Sequence, residues 1–421
     1  MENRLEGMFA SIKQEKLDRR AFLRRATLTA VAAAGLPGIL RYAAAQDVLS
    51  ADAFIPGKAA ELIVHNDSTG VLETPLALLR DHDITPKEIL YVRNNQVLEG
   101  AKTLDSIPLE DWTVAFSGLV KYPTVISAAT LADMESVDVE MVLQCSGNGR
   151  AFYARSVETS GTQWEHGGMG NVRFSGVPLA ALLEELEPDI DPSATFVTAN
   201  GADTPGEKAS NPDFLHSIPL RDALRLGILA TQMNGEPIPA IHGGPVRLIM
   251  PGFYGTMNIK WLSELSFDAH ESNNYNQIPR YRVPNLPIEP GSDIDYTFEN
   301  SHPNWEQKIK SVIFSPLPKD ALSAGSAEVR GVAWNDGVVP VTAVEVSTDG
   351  ATWQTAELTS PESPYAWYHF RTTVELPAGE GRIWARASDE LGRSQPLDGS
   401  VYWNPSGYEW NGVDWVDVNV G

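Results

Sequence analysis

Cysteine is almost absent: Cys145 is the only one among 421 residues. That excludes an intramolecular disulfide, a CxxC redox pair, a cysteine-rich zinc site and haem attached through CxxCH. Positive charge is scarce too, with 32 Lys and Arg against 55 Asp and Glu, a formal charge of −23. Nucleic acid and anionic membrane surfaces are therefore poor partners, whereas a basic protein would be attracted. A small anionic substrate is repelled at long range, so an anion site needs its own arginines. Long hydrophobic runs are missing as well. The mostly apolar stretch 26–40 is broken by Gly35, Pro37 and Gly38 and is too short to span a bilayer. There is no internal repeat and no low-complexity tract.

What is present begins with an address. Asp18-Arg19-Arg20-Ala21-Phe22-Leu23 is a twin-arginine pattern, followed by the apolar stretch and by the small-residue site Ala43-Ala44-Ala45. This is the layout of a bacterial export signal and predicts a periplasmic protein. Removing residues 1–45 takes away eight basic and four acidic residues, leaving a mature charge of −27. Twin-arginine export carries folded proteins, often with a cofactor already inserted. No span is expected in the mature chain.

The length exceeds one ordinary core and predicts two domains. Over residues 46–300 strand and helix signals mix without a regular βα period, which makes an α+β domain. Strands are expected at 89–92, 112–116, 141–143, 195–198, 228–233, 246–250 and 259–267. Helices are expected at 75–79, 126–134, 177–186 and 220–226, the last entered through Ser217, Ile218 and Pro219. The glycine-rich part of 161–176 is expected to be a loop, and Asn200 to Asp203 a turn. A polar, proline-rich stretch at 281–304 marks the boundary. Residues 301–421 then show short strands at 312–314, 327–334, 341–347, 353–358, 366–374 and 381–387, with Asp349-Gly350 as a hairpin turn. That spacing predicts an immunoglobulin-like β-sandwich.

The richest stretch is MVLQCSGNGR, Met141 to Arg150. Its apolar start is a strand that holds Cys145 rigidly, and Gly147, Asn148 and Gly149 form a turn that lets a ligand approach the backbone. A lone cysteine is ordinarily a small buried hydrophobe, but the downstream motifs alter that reading. LQCSGNGR, TQWEHGGMGNVRFSGVPL, HGGPVRLIMPGFYGTMNIKWL and VYWNPSGYEWN together resemble the sulfite oxidase family of molybdenum enzymes, most closely its exported bacterial sulfite dehydrogenases. The resemblance runs from about Val92 to Tyr408. It implies a mixed α/β molybdopterin-binding domain (the sulfite oxidase fold) followed by an immunoglobulin-like domain that makes a homodimer.

The resemblance also implies roles. Molybdenum takes soft sulfur ligands; the cofactor brings a dithiolene pair and Cys145 would add one thiolate, the only metal ligand from the chain. His242, Arg247 and Lys260 match positions that hold the cofactor's phosphate and pterin. Arg247 can give two parallel hydrogen bonds and Lys260 a point charge. Asn95 stands where many members have a second cofactor-contacting histidine, and Asp203 lies in a turn that reaches the pterin. Arg93 and Arg150 match the oxyanion-binding arginines. Trp164 would wall the pocket, and Tyr281 matches the tyrosine beside the metal, with Tyr275 as competitor. Ser406 stands where animal members carry a third anion-binding arginine.

The expected activity is oxidation of sulfite to sulfate by Mo-molybdopterin. With no haem motif here, electrons leave to another protein such as a cytochrome c. Two rivals remain: a sulfoxide reductase or sulfane dehydrogenase subunit with the same cofactor, and a non-enzymatic exported binding protein.

Overall fold

The structure, a computed structural model, describes residues 50–203 and 213–421. The expected export signal lies outside the described residues. In chain order the first part contains the hairpin β1 (Ile63–Asn66) and β2 (Val71–Glu73), then α1 (Leu76–Leu79), β3 (Thr113–Gly118), β4 (Thr124–Ser127), α2 (Ala128–Asp133), β5 (Val137–Gln144), β6 (Met169–Pro178) and α3 (Leu179–Leu186). It continues through β7 (Phe196–Gly201), β8 (Leu215–Pro219), α4 (Leu220–Leu226), β9 (Ile228–Met233), β10 (Glu236–Pro237), β11 (Arg247–Ile249) and β12 (Leu262–Asp268).

Two sheets organise this part. One runs β10-β9-β6-β5 with β11 also paired to β9, and the other runs β4-β3-β12-β7-β8. Only β3 and β12 pair in parallel; the other pairs are antiparallel. The short helices cover the apolar faces. Helix α3 buries Leu179, Leu182 and Leu183 on one side, each worth about 1.5–3 kcal/mol. It stops at Glu187, which takes a left-handed conformation just before Pro188. Helix α2 is started by the Ser127 side chain, which accepts from the Thr130 N–H, a cap worth about 1 kcal/mol.

The C-terminal part opens with the hairpin β13 (Arg282–Pro284) and β14 (Ser301–Pro303). Then come β15 (Lys310–Ser315), β16 (Gly325–Trp334), β17 (Val341–Ser347), β18 (Gln354–Thr355), β19 (Glu357–Thr359), β20 (Tyr368–Leu376), β21 (Gly379–Asp389) and β22 (Asp414–Val420). They form two four-stranded sheets, β15-β16-β20-β19 and β18-β17-β21-β22. Alternating residues such as Val329, Val344, Phe370, Ile383 and Val416 fill the space between, as a sandwich requires. A separate apolar cluster joins the two parts: Leu79, Val142 and Met169 pack on Val312, Phe314, Trp334 and Trp367.

Several local expectations differ from the structure. Residues 89–92 are buried but form no strand; only Val92 makes a bridge, to Leu72. Val177 and Pro178 end β6, and Ser217 to Pro219 end β8, so each proline caps the following helix from outside its first turn. The glycines of 170–176 lie inside β6, and Asn200 and Gly201 lie inside β7. The 281–304 stretch carries a hairpin, and β22 is a strand that the pattern reading missed.

Candidate functional site

Strand β5 ends at Gln144 and delivers Cys145 into a buried turn. The Cys145 N–H donates to Gly168 O at 2.8 Å, and its carbonyl accepts from Asn148 N–H at 3.0 Å. The Gly147 N–H points at Cys145 Sγ from 3.4 Å. The glycines are required by packing. A Cβ on Gly147 would meet the Arg150 guanidinium at 2.6 Å, and one on Gly149, where φ is +95°, would meet Trp410 at 2.5 Å. The C-terminal part also holds the turn: Glu409 N–H donates to Ser146 O at 2.8 Å and Lys310 Nζ to Asn148 O at 3.0 Å.

Cys145 lines a cleft enclosing about 670 Å³ of empty space, part of it open to solvent. Arg93, Asn95 and Tyr281 stand on its wall, and so do Asp203, His242, Arg247 and Lys260. Thus distant segments meet as the motifs require. Arg93 Nη2 donates to Asn95 Oδ1 at 2.5 Å and lies 3.3 Å from the Tyr281 hydroxyl, which also accepts from Asn95 Nδ2 at 2.6 Å. Tyr275, the competitor, is 42% exposed and is not among the cleft-lining residues.

Two expected residues are placed elsewhere. Trp164 is fully buried and does not line the cleft; it meets Tyr91 edge-to-face with ring centroids 6.0 Å apart, so Tyr91 makes the wall that Trp164 was expected to make. Arg150 is also not a lining residue. Its Nε donates to the Ser406 carbonyl at 2.7 Å and its Nη1 to Thr162 O at 2.8 Å. Its guanidinium lies 5.2 Å from the Tyr408 ring, which stacks on Tyr281 at 5.2 Å. One aromatic layer therefore separates Arg150 from Tyr281.

The electrostatics are unusual for an acidic protein. Arg247 gives its protons to carbonyls, Nε to Asn258 O at 3.1 Å and Nη1 to His242 O at 2.8 Å. Lys260 Nζ donates to Asn94 Oδ1 and Ile241 O, each at 2.7 Å. Burial pulls Arg247 down to about 10 and Lys260 well below the ordinary lysine value, with Arg247 adding to the effect on Lys260. Asp203 is pushed up to about 7 by burial, against the pull of Lys260. Burial and then Lys58, Lys260 and Arg247 hold His242 well below the usual histidine range, so its ring is neutral. Buried cations held by carbonyls lack the counter-charge that burial demands. The donor set therefore fits an anionic ligand, which would supply it. Among the described residues no group of three or more His, Cys, Asp or Glu is arranged to hold a metal ion.

Tyr91, Asn94 and Lys58 were missed by sequence reasoning. Tyr91 and Asn94 sat within an expected strand and beside Arg93, where a closer reading of that segment would have found them. Lys58 carries no motif. No helix among the described residues is long and apolar enough to cross a membrane.

Comparisons with known proteins place the chain in a family. Residues 101–276 match the family model "Oxidoreductase molybdopterin binding domain", and residues 301–420 match "Mo-co oxidoreductase dimerisation domain". The mitochondrial sulfite oxidase of Drosophila melanogaster is 31% identical over 370 residues, covering 83% of this chain and 61% of that protein. An inducible NADH nitrate reductase of Glycine max is 34% identical over 377 residues, covering 83% of this chain and 41% of that protein. The chain thus spans about three-fifths or less of these relatives. The crystal structure of the sulfane dehydrogenase SoxCD from Paracoccus pantotrophus superposes with a TM-score of 0.70 at 24% identity, covering 93% of this chain and 96% of that one. It shares the fold. Fold, cleft and family models together define a molybdopterin-dependent oxidoreductase. The chain belongs to the sulfite oxidase family of these enzymes, and its cofactor is molybdenum with molybdopterin.

Proposed function

We propose that this protein is a periplasmic enzyme that oxidises sulfite to sulfate and passes the electrons to an external acceptor such as a cytochrome c. The observation that carries the reading is the convergence of Cys145, Arg93 and Tyr281 on one cleft whose other wall is cationic. Cys145 would supply the chain's single thiolate to molybdenum. Arg247, Lys260 and His242 would hold the anionic end of the cofactor, with Asn95 and Asp203 as further polar contacts. When bound, the cofactor supplies the oxygen-atom chemistry and accepts the electron pair.

The chain's own part is positioning. Arg93 presents a cation beside Cys145 and orients a small oxyanion. Its guanidinium and Asn95 Nδ2 both point at the Tyr281 oxygen. Both are donors, so the phenol oxygen accepts from them and its O–H proton is left to face the substrate. Tyr281 can therefore give or take a proton at the anion. Arg150 acts one layer back, through Tyr408, on the placement of Tyr281. Trp164 backs Tyr91 and keeps water from the rear of the cleft. Export through a twin-arginine signal fits a cofactor inserted before transport. Residues 301–421 would pair two copies, a role supported by the dimerisation-domain match.

The test is a comparison of substrates on cofactor-loaded protein: sulfite oxidation against reduction of methionine sulfoxide and of nitrate, and oxidation of a sulfane-sulfur donor. Sulfite turnover that exceeds the others supports the reading. Reduction of sulfoxide or nitrate without sulfite oxidation would replace it. A protein devoid of molybdenum would point to a binding role.

A further inference from the structure

Lys58 precedes every motif, yet its side chain ends behind the cleft. It is 3% exposed. Its Nζ meets three groups able to accept a hydrogen bond: Lys87 O, Leu90 O at 2.6 Å and His242 Nε2 at 2.9 Å. An ammonium has three protons to give, and here each has one taker. The two carbonyls can only accept, so the third proton goes to the imidazole lone pair. Lys87 O also lies 3.4 Å from the same imidazole nitrogen, too far to compete well.

A neutral imidazole that accepts at Nε2 carries its proton on Nδ1. We propose that Lys58 is a positioning residue for the cofactor: its ammonium fixes His242 as the Nδ1–H tautomer, leaving that N–H as the ring's one donor to the anionic end of the ligand. The logic is that of an outer partner setting the tautomer of a binding histidine. Burial pulls the Lys58 ammonium well below the ordinary lysine value, with Glu88 opposing the shift, so its charged form rests on the three acceptors gathered around Nζ. The inference rests on the reading that His242 faces the cofactor.

Two measurements test it. The first leaves Lys58 untouched: nitrogen NMR of the full chain labelled in histidine, purified with its cofactor, and with the His242 signal assigned by its absence from His242→Asn. A protonated Nδ1 and bare Nε2 are expected; a protonated Nε2 would make Lys58 a neutral acceptor and overturn the proposal. The second is Lys58→Met, read as molybdenum and pterin retained through gel filtration and dilution, with circular dichroism to confirm folding. Loss of a charged hydrogen bond network predicts at least about tenfold weaker retention. A folded Lys58→Met protein that keeps its full cofactor and the same tautomer would refute the role. Absence of cofactor from the unaltered protein would overturn the cofactor reading instead, while the NMR result would still decide what Lys58 does to His242.

Discussion

Lys310 offers a quantitative check on how the two parts of the chain meet. It begins β15 of the sandwich, is 1% exposed, and reaches across to donate to Asn148 O in the Cys145 turn at 3.0 Å. Burial pulls its ammonium down from 10.5 to about 7, with Asp414 opposing the shift. Above the unfolded value both states hold a neutral amine and the lysine costs nothing. As pH falls below 10.5 the unfolded chain takes up a proton that the folded chain refuses, so stability drops until pH reaches about 7. The slope for one such proton is about 1.4 kcal/mol per pH unit. Lys310→Met removes this contribution, along with one hydrogen bond worth about 1 kcal/mol. The stability of the variant relative to the parent should therefore fall by about 2 kcal/mol between pH 7.5 and 9.0. Urea unfolding followed by tryptophan fluorescence, at matched cofactor loading, measures it. Parallel pH curves for the two proteins would refute the reasoning and mean that Lys310 keeps an ordinary ammonium in the folded state.

Four further outcomes follow from the cleft and the sandwich. Arg93→Gln should raise KM for sulfite roughly ten- to a hundredfold, the loss of one charged hydrogen bond in a dry site, with molybdenum content unchanged. Arg150→Gln should raise it less, because Tyr408 stands between Arg150 and Tyr281; equal kinetic effects would contradict this placement. Tyr281→Phe should cut kcat by about a hundredfold if the phenol moves a proton, while Tyr275→Phe stays near the parent; the reverse ranking in steady-state assays would exchange their roles. Light scattering of the mature protein should give a dimer mass, and a concentration-independent monomer would argue against pairing through residues 301–421.

Much of the architecture could be read in the residues. Helix α4 and strand β9 fall where the pattern puts them, because Gly227 separates the two and Asn234-Gly235 closes the second. The sandwich strands show a period of two, imposed by one buried and one solvated face. The start of α3 is misplaced for one reason: Pro178 was given to the first helical turn, yet it follows β-branched Val177 and both are committed to β6. The buried run 89–92 reads as a strand from its residues, but nothing beyond Leu72 lies alongside to pair with it. In the site, Cys145 and Arg247 lie in the quoted motifs and Arg93 was matched by the resemblance outside them; the structure brings all three to one cleft. Arg150 and Trp164 were legible as residues but not as positions, since only packing shows that Tyr408 and Tyr91 stand in front of them. Ser406 was read as a missing cation, while the structure uses its carbonyl to anchor Arg150. Lys58 could not be found, because its partners are backbone carbonyls and a histidine 184 residues away.

The account turns on Cys145 as the one protein ligand to molybdenum. X-ray absorption at the molybdenum edge, on loaded parent protein and on Cys145→Ser, counts the sulfur neighbours directly. A dithiolene pair plus one thiolate is expected in the parent, with one sulfur fewer and loss of sulfite turnover in the variant. An unchanged sulfur shell in Cys145→Ser, or turnover like the parent's, would contradict it.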